Sequence, residues 1–180
     1  MTPTLTTASP HQRTGPAPLN VGFLTVLHEA SGYLGGYLVT NTWGRPLEFR
    51  LSSAVQPNRV QQILYAHTLE AYICADLIGN TLVDKATVPA QLIVTEREVV
   101  LDVRLKLEVP VAWLAPAEEA RAAIRTPRGG LVFHPRFAGD AAVVREMLHR
   151  IDSAFDLAEP FSRIREAIAE ARKLGVASRN

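Results

Sequence analysis

Between Val99 and Val109 every second residue is a large aliphatic, Val99, Leu101, Val103, Leu105, Leu107 and Val109. Glu98, Asp102, Arg104, Lys106 and Glu108 fall on the other face. In an extended chain that period sorts the side chains onto one apolar and one charged face, so it predicts a long strand lying against a core. Pro110 marks its end or an edge position, because proline cannot donate to a ladder. Residues 91–95, Gln-Leu-Ile-Val-Thr, follow Pro89 and read as a partner strand joined to it by a tight turn at Glu96 and Arg97. Residues 111–114 extend the chain and bring Trp113 toward the core.

Upstream, residues 21–29 are rich in β-branched and aromatic side chains and are closed by Ala30-Ser31-Gly32, which predicts a first strand. Gly35-Gly36 then predicts a sharp turn or bulge before a strand at residues 37–40, and residues 41–46 read as a loop. Leu47, Phe49 and Leu51 alternate with Glu48, Arg50 and Ser52, so the third strand is expected to bury the first set and wet the second. Short connections make these strands an antiparallel meander. Beyond Pro57, Asn58 can cap a helix in which Val60, Ile63, Leu64, Ala71, Cys74 and Ile78 recur at near-helical spacing up to Gly79. A continuous helix is preferred to a break near His67.

Residues 117–125 predict a short helix of strong formers, residues 126–130 a loop, and residues 131–133 a short strand. Asp140 is a candidate N-cap for a helix carrying Val143, Val144, Met147, Leu148 and Ile151. Asp156, with Glu159 three residues on and Pro160 in the first turn, starts a last helix lined by Leu157, Phe161, Ile164 and Ile168 and stopped at Gly175. The order of elements predicts an α+β fold: an antiparallel sheet of about five to six strands, built as meander, helix and hairpin, covered by C-terminal helices. Residues 1–18, rich in Thr, Pro, Ser and Ala, read as a disordered leader, and residues 19–180 as a single globular domain. This element order resembles a profilin-like or roadblock-like sheet, without a sequence motif of either family. What the resemblance implies is a regulatory or scaffolding role, by analogy of fold alone.

Nineteen basic residues against eighteen acidic ones give a formal net charge of +1, so no global field draws in a polyanion or a membrane surface. No apolar run of about 18 residues is present to cross a bilayer. The N-terminus also lacks the apolar stretch of a secretory signal. The single cysteine, Cys74, sits among apolar neighbours and reads as a small buried hydrophobe in a reducing compartment. A cytoplasmic protein is expected.

The chemistry-bearing candidates are sparse. No phosphate loop, dinucleotide fingerprint, Gly-x-Ser-x-Gly elbow or His-x-x-x-His spacing occurs, so neither a cofactor nor a metal is expected. Adjacent His28 and Glu29 point to opposite faces of a strand, which argues against a direct pair. His134 and Arg136 flank Pro135 ahead of Asp140, where a helix N-terminus can hold an anion, although Asp140 competes for that place. Glu48 and Arg50 share a strand face that could orient a ligand or partner. Arg121, Arg125, Arg128 and Arg136 form the best basic cluster, interrupted by Glu118, Glu119 and Asp140. Trp43, with Tyr33 and Tyr37, is a candidate interface anchor or, equally, core. The expectation is a non-catalytic protein-interaction module, an adaptor or subunit of a larger assembly with a protein partner, and with self-association open. Two alternatives stand beside it: an enzyme or small-ligand-binding protein in which His28, Glu48, Arg50 or His134 converge, and a weak nucleic-acid binder through the Arg-rich loop.

Overall fold

The computed structural model describes residues 17–175. Most of the expected leader therefore lies outside the described residues. Strands β1 (Val21–Glu29) and β2 (Gly32–Thr40) form a hairpin that re-enters the sheet at Gly32, whose φ of +107° disfavours any side chain. Strand β3 (Pro46–Leu51) pairs antiparallel with β2, giving the expected meander.

The remaining topology departs from expectation. Strand β4 (Leu92–Thr95) lies parallel to β1, and β5 (Val111–Ala115) lies parallel to β4. An antiparallel hairpin of β6 (Ile124–Thr126) and β7 (Gly129–Phe133) completes, among the described residues, a seven-stranded sheet in the order β3-β2-β1-β4-β5-β7-β6. The fold is α+β, but the sheet is mixed and larger than expected. Residues 117–123 form turns rather than a helix. With no apolar stripe to bury, helix propensity there yields to the pairing of Ile124 with Leu131.

The alternating run from Val99 is not a strand. Glu98–Leu105 is a 3-10 helix. Because β4 and β5 are parallel neighbours, the chain between them has to cross a face of the sheet to return to its starting end. The crossover buries Val100, Leu101 and Val103 instead of every second residue. Arg104 and Lys106, expected on a wet face, reach Asp140 and Asp76.

Gly35 and Gly36 sit within β2 and make no turn. A Cβ on Gly35 would stand 2.2 Å from Ile78 Cγ2, and one on Gly36 would stand 2.4 Å from Ile164 Cγ2. Successive strand residues face opposite ways, so the glycine pair admits a helix to close range on each side of the sheet. On one side lie α2 (Leu69–Ala71), a π-helix (Tyr72–Gly79), α3 (Asn80–Asp84) and the crossover, packed with Tyr37, Ile73, Cys74, Ile78 and Val103. On the other lie α4 (Asp140–Leu148) and α5 (Glu159–Lys173), packed with Phe23, Val144, Phe161, Ile164 and Ile168. The C-terminal helices thus cover one face, and the opposite face is covered too.

The helical segment after Pro57 is broken. Helix α1 (Arg59–Tyr65) ends at Ala66, whose φ of 45° and ψ of −120° turn the chain sharply before the 3-10 turn Ala66–Thr68. Tyr65 stacks on Tyr72 across this break, with ring centroids 4.1 Å apart. The change of direction takes Val60, Ile63 and Leu64 off the stripe that buries Cys74 and Ile78. They are 62%, 63% and 76% exposed.

Candidate functional site

Between the 3-10 crossover and β7 lies a groove of about 550 Å³. Val132 and Phe133 contribute from β7, Glu98, Leu101 and Asp102 from the crossover, and His134, Arg136 and Arg121 from the adjoining turns. Pro135 opens the turn Pro135–Phe137, a first position where its missing N–H costs nothing. The Arg136 N–H donates to His134 Nδ1 at 3.2 Å, which leaves Nε2 to carry the ring proton, 3.5 Å from Asp102 Oδ1. Two of the expected residues, His134 and Arg136, therefore meet here with Asp102, which sequence reasoning had placed on a strand.

Asp140 does not cap α4. Gly139 holds that position, and the Asp140 carboxylate accepts from Arg104 Nε at 2.7 Å and Nη2 at 3.1 Å. Arg104 Nη1 donates to the Leu107 carbonyl at 2.5 Å, and its guanidinium lies 3.8 Å from the centre of the Phe137 ring. Both side chains are largely buried, so the pair joins the crossover to α4 as structure. It also compensates the charge of Asp140 at the helix start.

The arginine cluster is divided, and two of its members, Arg121 and Arg128, are paired with carboxylates. Arg121 donates to Glu98 at 2.6 Å and to Glu119 at 2.9 Å, and its hydrogen bonds pull the Glu119 carboxyl down to about 2. Arg125 donates to the Ala117 carbonyl. Arg128 pairs with Asp156 at 3.0 Å beside a separate depression of about 350 Å³ that Leu148, Phe155 and Leu157 help to line.

Glu48 and Arg50 do share a face, but it is not an open wet one. Glu48 accepts from Arg50 Nε at 2.6 Å and from the N–H groups of Thr87 and Val88 at 2.8 and 2.7 Å. Hydrogen bonding from Val88, with Arg50 and Thr87, holds its carboxyl below the ordinary carboxylate range against the opposing effect of desolvation. The apolar alternate residues, expected inside, are instead partly exposed, Leu47 by 46% and Phe49 by 40%. β3 is the outermost strand, and a residue there is covered only if a neighbouring element reaches past it.

The aromatic trio divides. Tyr33 and Tyr37 are core residues, whereas Trp43, in the loop between β2 and β3, is 68% exposed. His28 stacks on Tyr33 with ring centroids 4.0 Å apart, and Glu29 pairs with Arg172. The convergence of His28, Glu48, Arg50 and His134 into one polar site does not form. Glu48 and Arg50 belong to one edge strand, while His134 follows β7 near the opposite edge. Burial pushes the Cys74 thiol up to about 11, which removes it as a nucleophile near neutrality.

Val60, Ile63 and Leu64 were missed as surface residues. Their signal was present in a reciprocal capping box, in which Asn58 Oδ1 accepts from the Gln61 N–H and Gln61 Oε1 from the Asn58 N–H, each at 2.9 Å. That box defines a short helix able to start by itself. Among the described residues no cluster of three or more His, Cys, Asp or Glu is placed to hold a metal ion, and no helix is long and apolar enough to cross a membrane. No known protein family matches the chain, and no curated protein matches it significantly.

Proposed function

We propose that this chain is a non-catalytic protein-interaction module, an adaptor or subunit of a larger assembly, that docks a protein partner on α1. The observation that carries this reading is the apolar face of that helix. Val60, Ile63 and Leu64 stand at helical i, i+3, i+4 spacing, on a capped helix with no buried residue. An amphipathic helix of this kind is recognised when a partner's hydrophobic groove takes the anchors at that spacing. The inert, buried Cys74 fits a reducing compartment, and the cytoplasm is the proposed location.

The test is affinity purification of the full chain from its native host, beside an Ile63→Asp/Leu64→Asp variant. Both side chains are exposed, so the variant should keep the wild-type circular dichroism and melting behaviour. A partner retained by the wild type and lost by the variant supports the reading. Identical co-purifying proteins in both samples, or none in either, count against it.

A second reading, small-ligand binding, rests on the groove that holds His134 and Arg136, whose volume lies in the range of ligand sites. Screening small carboxylates and phosphates for a thermal shift that Arg136→Ala abolishes would test it. No shift with any of them would dismiss it.

A further inference from the structure

We infer that two copies of this chain associate through β3, edge to edge, about a two-fold axis at Phe49. The surface is distinct from α1, and the inference stands apart from the docking role proposed for that helix. Among the described residues, β3 has β2 on one side and no strand on the other. Ser52 N–H donates to the Gly35 carbonyl at 2.9 Å, and the β2–β3 register runs Gly36 with Leu51, Tyr37 with Arg50, Leu38 with Phe49 and Val39 with Glu48. Antiparallel pairs alternate between bonded and non-bonded. The backbone groups of Ser52, Arg50 and Glu48 therefore turn toward β2, while the N–H and C=O of Phe49 and Leu51 turn outward. The irregular step opposite Val39 and Thr40 lies at the start of β3 and leaves the stretch from Glu48 to Leu51 regular.

The outward groups offer a template for another strand, and the side chains specify which one. Leu47-Glu48-Phe49-Arg50-Leu51 has the same chemistry read from either end, once acid and base are exchanged. In an antiparallel copy centred on Phe49, the two Phe49 residues face each other, Leu47 faces Leu51, and Glu48 faces Arg50. Outward backbone groups on alternate residues forbid a slip by one. Slips by two set Glu48 against Glu48 or Arg50 against Arg50, and like charges directly opposite are destabilising. The centred register is thus selected by backbone parity and charge together. It also buries the exposed parts of Leu47 and Phe49. Arg50 engages its own Glu48 through Nε, so its Nη groups can reach the Glu48 of the second copy.

The test uses the full chain in light scattering across a concentration series, together with single cysteine substitutions under mild oxidation by oxidised glutathione. Cys74 is buried, so an introduced thiol reports alone. Phe49→Cys should yield covalent dimer, because facing Cα atoms in a bonded antiparallel pair lie about 5.5 Å apart, within disulfide reach. Leu51→Cys, which faces Leu47, should yield about tenfold less, since matched geometry is required. Arg50→Glu should weaken association by about tenfold or more through like-charge opposition. A monomer at every concentration overturns the inference. So does equal cross-linking at both cysteine positions, or a dimer that survives Arg50→Glu and is lost in Ile63→Asp/Leu64→Asp.

Discussion

The Arg104 guanidinium grips both oxygens of Asp140, tying the crossover to the first turn of α4. Removing one partner of a largely buried pair leaves the other charge uncompensated. Asp140→Asn is expected to cost about 3–5 kcal/mol in urea unfolding. Arg104→Met combined with Asp140→Leu should cost much less than the single change, because no buried charge remains. A single variant with the wild-type midpoint would show the pair to be inert.

Glu48 provides a pH-dependent anchor between β3 and the segment after α3. Its folded carboxyl titrates below the unfolded value of about 4.3. The lowered value means that its contribution is fully present above the unfolded value and is lost as pH falls through the folded one. Glu48→Gln should therefore flatten the acid limb of the stability profile, and should lower stability at neutral pH by about 1–3 kcal/mol through weakened hydrogen bonds. Chemical denaturation from neutral to acid pH measures both effects.

Ala66 holds a positive φ that a side chain disfavours. Ala66→Gly removes the Cβ at that turn, and although glycine loses more entropy on folding, relief of strain should dominate. The expected gain is about 1 kcal/mol, visible as a raised melting temperature. A lowered melting temperature would contradict the strained turn.

The space above Gly36 is occupied by Ile164 Cγ2. Gly36→Ala is expected to cost about 1–3 kcal/mol by overpacking the sheet against α5. Ile164→Ala removes the opposing atoms, so the double variant should be less destabilised than the sum of the single changes. Strict additivity in a double-mutant cycle would rule out that contact as the cause.

Local chemistry made several elements legible. Residues 21–29 carry strand propensity and meet turn residues at Ala30, and β1 spans Val21–Glu29. The Leu157, Phe161, Ile164 and Ile168 stripe is buried as its spacing requires, with Gly175 at φ +70° beyond the end of α5. His134 and Arg136 are legible as neighbours of a turn, but their companion Asp102 is not, because the alternation of the crossover that carries it spells a strand. Alternation from Val99 describes a short run of the chain, whereas the parallel placement of β4 and β5 compels a crossing that alternation cannot express.

By itself, the amino-acid order determined an α+β chain, the β1–β2–β3 meander and the helices that close the fold, because turns and periodicity act over a few residues, whereas the side-chain caps expected at Asp140 and Asp156 do not form. Tertiary structure decided which faces became interior. Glycines that read as a turn became contact points for helices on both sides of the sheet, and the apolar face of β3 came to lie partly at the surface. Burial depends on which distant element arrives to exclude water. For Phe49 at an outer strand and Leu64 beyond a sharp break, nothing in the described fold arrives to cover them fully.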